Sequence, residues 1–599
     1  MKNFIRDLVS LLDQKEKKKF IIIQILIIAM AMLELATIIS IGPFLSVIST
    51  GDSVLENKTV QLVYQHLGCE NWDDFILKIS SLLILMFIVS MVVSIITTWK
   101  MSSFGAHFGA NIGTRLYKHY LNSSWTFHLQ NSNSYLTKQI ATESARLSHA
   151  VIAPILQVNA KIVVLLVLIS AIFIKNPLGT LFAVIIFSTM YLAIYAVSKN
   201  ILKNNGRKIT EIMAERFKLL NDGFGVVKEI ILQQNQNEFV EKFKANGFDL
   251  AVAQTENQSI SIIPKYIVEG VVFIGIALSA LYAFYFTEVH SQDLLSEIII
   301  YTFLGFKILP NVQQLYANIS VVKGNLSSFY AISNDLEDSK CTMLKSVPDN
   351  SNILLDEFES LSFNNVSYRY PCKEKFAIRD VNLLIERNKI YGFVGHSGAG
   401  KSTIIDLLLG LINPSQGEIM VRSKGKDCVD YREFRHKVGL VPQDVKIISG
   451  TLRENIALGV RVSDIDNNKL KSAILASNLV DIVEQLDEGL DTKITEGGLN
   501  FSGGQKQRIS IARALYTEPD ILIFDEATSA LDGISERKIM ESINEISKNK
   551  TVVLVAHRLK TVERCDNIFL MEKGKIIGSG DFSKLQEMSK VFKEMVESS

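Results

Sequence analysis

Six long apolar runs constrain this chain more than any other feature. Phe20 to Ile48 is 29 residues with a single charge, Glu34, and Ile79 to Trp99 is 21 residues with none. Ile162 to Ile174 is charge-free and extends back toward Ala150 through Lys161. Leu178 to Val197 is charge-free over 20 residues, Tyr266 to Phe286 carries only Glu269, and Ile298 to Val322 carries only Lys307. About 20 apolar residues in a helix cross a hydrocarbon core of ~30 Å. The runs therefore predict six membrane spans within residues 1–325. They lift the mean hydropathy of the 599 residues to +0.22. The 63 Lys and Arg against 62 Asp and Glu leave no basic excess for nucleic acid. The apolar content also excludes disorder. Five scattered cysteines with no C-x-x-C exclude a disulfide scaffold and give no zinc spacing.

The basic residues set the topology. Lys15, Lys17, Lys18 and Lys19 precede the first span, and segments 100–148 and 198–265 are long and rich in Lys and Arg. Segments 51–74 and 287–297 are acidic. Both termini and both long segments are thus expected in the cytoplasm, with the acidic segments and Cys69 outside. Phe4, Ile5, Leu8, Leu11 and Leu12 predict an amphipathic interfacial helix. Val54, Leu55, Val60, Leu62, Val63 and Leu67 predict a short external helix. The long segments read as helical arms broken at Ser123–Trp125 to Asn131–Asn133 and at Asp222–Gly225, tips suited to touching a cytoplasmic domain. Residues 326–357, mixed in Ser, Asn, Asp and Lys, read as a linker.

From Phe358 to Ser599 short apolar strands alternate with amphipathic helices, the pattern of an α/β domain. Ile390–Val394 reads as a buried strand. It runs into Gly395, His396, Ser397, Gly398, Ala399, Gly400, Lys401 and Ser402, then a helix from Thr403. That is G-x-x-x-x-G-K-[ST] in strand–loop–helix context. Backbone N–H groups and the helix N-terminus would cradle phosphates, Lys401 would neutralise them, and Ser402 can ligate Mg2+. A second buried strand, Ile521–Phe524, ends in Asp525, a magnesium partner, and Glu526, placed to polarise an attacking water. The fold class is an α-helical transmembrane domain fused to an α/β P-loop nucleotide-binding domain.

Between these motifs stands Phe501-Ser502-Gly503-Gly504-Gln505. It resembles the signature of ATP-binding cassette proteins, usually Leu-Ser-Gly-Gly-Gln; Phe501 departs from the usual Leu, which implies a packing change. Tyr370 before Pro371 resembles the family's adenine-stacking aromatic, Gln443 its Q-loop, Ser529-Ala530-Leu531-Asp532 its D-loop and His557 its switch histidine. The resemblance implies ATP bound through Tyr370, 395–403 and Asp525, with Ser502, Gly503, Gly504 and Gln505 closing over a second copy's ATP. It implies Mg2+ held by Ser402, Gln443 and Asp525, and catalysis by Glu526, Gln443 and His557. Six spans plus one cassette resembles an exporter half-transporter, and Glu496 in Thr495-Glu496-Gly497-Gly498 resembles the exporter X-loop. One P-loop and one signature per chain imply a dimer, and matching motifs make a homodimer the simplest case.

The cargo must be read from the spans. Ionisable residues in a membrane default to function, which nominates Glu34, Lys161, Lys265, Glu269 and Lys307; Lys265 and Glu269 are also spaced to pair with each other. Ile263–Gly270, Leu309-Pro310-Asn311 and Leu35–Phe44 are similar to bacterial lipid-linked oligosaccharide flippases. That resemblance implies a polyprenyl-pyrophosphate glycan as substrate, Lys265 and Lys307 as cations for its pyrophosphate, and a bacterial inner-membrane site. Span two lacks the cation those flippases carry. Exporters of other lipids, drugs or peptides, and a non-transport regulatory membrane ATPase, remain the alternatives.

Overall fold

The computed structural model describes the chain apart from residues 1–5, 7–11, 51–57, 70, 176, 287–290, 345–356, 372, 425, 496–500, 528–532, 557 and 598–599, and apart from the side chains of some helix and strand residues, 291–307 among them. The residues divide into two compact units. One holds residues 1–123 and 131–346; the other holds 124–130 and 347–599.

The first unit is built of long helices: α1 (Gln14–Thr50), α2 (Lys58–His66), α3 (Trp72–Leu121), α5 over 133–175, α6 (Pro177–Gly225), α7 (Val227–Gln233), α8 (Gln236–Phe286) and α9 (Ser291–Leu344), while α4 (Trp125–Gln130) belongs to the second. At 1.5 Å per residue the 50 residues of α3 span about 75 Å, well over twice a hydrocarbon core. The surplus is the arm that the sequence predicts. Along the membrane portion of α3, Leu82, Ile84, Leu85, Met91 and Ile95 are each more than half exposed. Such an outward apolar face is stable only against lipid. Five helices among the described residues are long and apolar enough to cross a membrane. The sixth expected span, Ile298–Val322, lies on α9, where the side chains of 291–307, Lys307 included, fall outside the described residues. The predicted N-terminal amphipathic stripe also falls largely outside them.

Two boundaries differ from expectation. α9 continues through the segment read as linker to Leu344, because Phe329, Ile332, Leu336 and Ser339 recur at helical spacing and are buried. Their polar neighbours hide that stripe in the composition. The second arm turns at Val226 rather than within Asp222–Gly225, and Val227–Gln233 forms its tip before Gln234 takes a left-handed conformation. The short helix expected between the first two spans forms as α2, with Val54 and Leu55 of its stripe outside the described residues; Lys78 on α3 donates to the carbonyls of Leu67 (3.2 Å) and Gly68 (3.1 Å) and pairs with Asp74 at 2.8 Å.

The arms are joined by buried polar contacts. Glu143 and Lys138, 0% and 3% exposed, approach to 3.3 Å, and Arg146 reaches Glu143, Thr210 and Asn325 at 3.1–3.2 Å. Where α6 crosses α9, a Cβ on Gly206 would stand 2.5 Å from the Gly324 carbonyl, so the crossing admits only glycine there.

In the second unit, β1 (Phe358–Tyr368), β2 (Ile378–Glu386), β4 (Gln416–Ser423) and β5 (Lys426–Asp430) make an antiparallel sheet in the order β2-β1-β4-β5. A second sheet runs β12-β11-β3-β10-β9-β6, from β3 (Ile390–Val394), β6 (Val438–Val441), β9 (Ile521–Asp525), β10 (Thr551–Val555), β11 (Asn567–Glu572) and β12 (Lys575–Gly580), while β7 (Gly450–Thr451) and β8 (Lys493–Ile494) pair apart. All its pairings are parallel except β11 with β12. Its central strands are apolar throughout because both faces are covered.

Candidate functional site

In an open parallel sheet, ligands gather at the carboxyl ends of the strands. Among the four neighbouring strands β3-β10-β9-β6, three, β3, β9 and β6, bring described predicted residues to that one edge. The 395–400 loop follows β3, Asp525 ends β9 with Glu526 next, and Gln443 lies two residues beyond β6. β10 ends two positions before His557, which lies outside the described residues, as do Glu496 and the segment Ser529–Asp532.

The loop turns into α10 (Lys401–Leu408) through Gly400, whose φ of +105° is closed to other residues; an added Cβ would also meet Ile378 Cγ2 at 2.9 Å. His396, Ser397, Gly398 and Ser402 are exposed, and Ala399 and Thr403 are buried. The Lys401 ammonium folds back over the loop and donates to the carbonyls of Gly395 at 2.6 Å and His396 at 3.5 Å. Burial pushes its pKa down, while the negative charges of Glu526 and Asp525 oppose that shift. The lysine, loop and acidic pair therefore form one electrostatic site. Glu526 has a φ of +49° and donates its backbone N–H to the Val555 carbonyl at 3.0 Å. A glutamate in this sparsely populated region is held there by its surroundings, a form of strain that clusters at functional sites.

Tyr370 lies across the start of α10. Its hydroxyl bonds Thr403 Oγ1 at 3.2 Å and donates to Asp406 Oδ2 at 3.5 Å. Beside it, Arg369, Tyr370, Pro371, Lys373, Glu374 and Ser415 line a cleft of about 440 Å³. Burial pushes the Asp406 carboxyl up to about 6, against hydrogen bonds from Trp125 and Tyr370. Asp406 and Trp125 carry no motif. The legible signal for Asp406 is a lone acid inside the apolar run Ile404-Ile405-Asp406-Leu407.

The signature caps a different helix, α11 (Gly503–Tyr516). The Ser502 hydroxyl accepts from the Gln505 N–H at 3.3 Å, and Gln505 Oε1 accepts from the Ser502 N–H at 2.8 Å. This reciprocal box fixes a helix N-terminus whose positive end suits an anion. Ser502 and Gly503 are exposed and Gly504 is buried. Phe501 is 9% exposed and packs in the larger apolar core of the cassette, which explains how a ring replaces leucine there. Gln443 is exposed, and Gln507 on α11 donates to the Pro442 carbonyl at 3.4 Å beside it.

The oxygen donors of Ser402, Gln443 and Asp525 are the hard ligands Mg2+ takes. They include only one carboxylate, and no cluster of three or more His, Cys, Asp and Glu occurs among the described residues. The set thus suits an ion that shares its coordination with phosphates.

A strand–loop–helix phosphate cradle, an acidic strand end and a capped second helix define a P-loop ATPase, here fused to a helical membrane domain. Residues 20–309 match the ABC transporter transmembrane region and 378–529 the ABC transporter ATP-binding domain. The chain is 30% identical over 495 residues to an ATP-dependent lipid A-core flippase of Photorhabdus laumondii, covering 80% of this chain and 81% of that one. It is 29% identical over 544 residues to the flippase of the same description from Yersinia pestis, covering 88% and 90%. A 32% match over 349 residues to the heterocyst differentiation ATP-binding protein HepA of Nostoc spans 56% of that protein's length. The fold matches a bacterial Atm1-family ABC exporter solved with ATP bound, with a TM-score of 0.74, 21% identity, and 98% and 99% coverage. The chain belongs to the ATP-binding cassette transporter family, with a transmembrane region and an ATP-binding domain on one chain and ATP hydrolysis coupled to transport.

Proposed function

We propose that two copies of this chain form a homodimer in the bacterial inner membrane and flip a lipid with a phosphorylated headgroup, a polyprenyl-pyrophosphate-linked oligosaccharide. The observation that carries the reading is the separation of parts. The cradle lies at the ends of β3 and β9, whereas the signature caps α11, so each ATP is closed by the signature of the second copy. Lys401 holds the terminal phosphates. Ser402, Gln443 and Asp525 hold Mg2+, which supplies charge neutralisation on the phosphates. Glu526 orients the water that attacks the γ-phosphorus as the bond to the bridging oxygen breaks, and His557 completes the site.

For the cargo, Lys265 is 49% exposed and lies 3.8 Å from Glu269, which also accepts from Gln313 at 3.4 Å. The spacing that suggested self-pairing is thus realised, and the half-exposed ammonium keeps donors for a phosphate. The relatives named lipid A-core flippases favour a second reading, a lipid A-type glycolipid. Translocation in vesicles against a polyprenyl-pyrophosphate glycan, lipid A-type lipid and a peptide separates these. The first cargo is expected to move, and K265A/K307A to cut its rate at least tenfold with basal ATPase retained. Movement of lipid A alone, or unchanged movement in the double variant, overturns the cargo assignment.

A further inference from the structure

Between the end of β6 at Val441 and Gly450 the chain forms no helix or strand, yet this stretch carries Gln443, whose side chain is exposed. A stretch without ladder bonds holds a side chain in a fixed place only through other anchors. Two side chains of α11 supply them, one on each side of Gln443. Before it, the buried Gln507 donates to the Pro442 carbonyl at 3.4 Å. After it, the Arg513 guanidinium donates to the Lys446 carbonyl at 3.0 Å. The same guanidinium donates to the Asn455 carbonyl at 2.9 Å and to Asn455 Oδ1 at 3.2 Å. Asn455 is 0% exposed. Its side chain accepts from the Ile448 N–H at 3.0 Å and donates to the carbonyls of Ile448 at 2.9 Å and Thr451 at 3.1 Å. Ile447 between these bonds is buried in the same apolar core as α11.

We propose that Arg513 and Gln507 are positioning residues for hydrolysis: they suspend the segment 442–451 from α11 and so hold the Gln443 amide oxygen where Mg2+ needs it. The inference rests on Gln443 as a Mg2+ ligand. An amide oxygen brings no charge to the ion, and Mg2+ demands near-ideal octahedral geometry, so this ligand serves only if it is held in place. Arg513 suits the post because its planar fork donates in several fixed directions at once, which the point charge of a lysine does not reproduce. Both residues act through Gln443 and not on the phosphates themselves.

The measurement is ATPase activity of the full-length protein in nanodiscs at saturating ATP, titrated with free Mg2+. Q443A and R513K are each expected to raise the half-activating Mg2+ concentration about tenfold, the scale on which outer-shell partners act on metal sites. Q507A, which removes the longer bond, is expected to raise it about threefold. Binding of fluorescent ATP in EDTA is expected to stay within about twofold of wild type in all three, because the cradle is untouched. On the Q443A background neither R513K nor Q507A is expected to add anything, since the anchors then have no ligand to place. Residues that only stabilise the fold would lower the maximal rate and leave the Mg2+ requirement alone. A wild-type Mg2+ requirement in R513K or in Q507A, or an effect of either that persists undiminished on the Q443A background, overturns the proposal; if R513K does not fold, Q507A decides by the same readings. A wild-type requirement in Q443A itself defeats instead the premise that Gln443 holds the ion.

Discussion

Two carboxylates at the nucleotide edge have opposite reasons for their placement. Glu526 is held at a φ of +49° where its backbone N–H bonds the end of β10. Asp406 is held by burial, and the result is measurable. Withdrawal from water pushes its carboxyl up to about 6 from the ordinary 3.8. Between those values the folded state keeps a proton that the unfolded state has lost, so this group's contribution to stability falls as pH rises through that window and stays low above it. D406N keeps the shape and removes the charge. It is expected to stabilise the cassette above pH 6 by on the order of 1 kcal/mol, after discounting for partial solvent access, and to make no such difference near pH 4. Thermal unfolding scans of the two proteins at pH 4.5 and 7.5 read this; an equal effect at both would show that burial does not hold the charge at a cost. The residues of the cradle and the acidic pair were legible in the sequence because phosphate binding demands glycine, lysine and carboxylate at fixed spacing. Asp406 left only a lone acid inside an apolar run, because contacts such as its bond from the Tyr370 hydroxyl join side chains far apart in sequence and impose no local pattern.

The elements owe their stability to different solvents. The strands of the cassette bury both faces in protein, while the spans leave isoleucine and leucine facing outward for lipid. The arms beyond the spans add a buried ion cluster and a close glycine crossing to their packing. Removing one partner of a buried pair strands the other's charge and costs about 3–5 kcal/mol. E143A, which leaves Lys138 and Arg146 facing each other, is expected to lower the melting temperature in detergent markedly, and E143Q less. Equal, negligible effects would mean that the cluster does not join the arms. The spans were readable as composition because a bilayer requires it. The continuation of α9 past 325 was hidden because its buried stripe of Phe329, Ile332 and Leu336 is interleaved with polar residues that face water.

At the scale of the molecule, the proposed homodimer gives each chain half of each ATP site. In the composite arrangement, K401A fails through its cradle and G503D through its signature, so each homodimer is inactive. Mixed dimers restore one site, formed by the intact cradle of one chain and the intact signature of the other. Reconstituting the two variants together is expected to recover about a quarter of wild-type ATPase activity, since half of random dimers are mixed and each holds one working site. No recovery, with mixed dimers demonstrated by differential tags, would show that each chain closes its own site. The near-zero net charge of the whole chain sums basic long segments, 100–148 and 198–265, and acidic short ones, 51–74 and 287–297, and the few charges within the spans stand out against both. The central claim is that ATP hydrolysis at Glu526 drives a phosphorylated lipid across the bilayer. The direct measurement is translocation of a fluorescent polyprenyl-pyrophosphate glycan in sealed vesicles by wild type and E526Q. The account predicts ATP-dependent translocation by the wild type, and in E526Q retained ATP binding with hydrolysis and translocation both reduced by about 100-fold or more. A wild type that hydrolyses ATP without moving the lipid, or an E526Q protein that hydrolyses ATP at the wild-type rate, would contradict it.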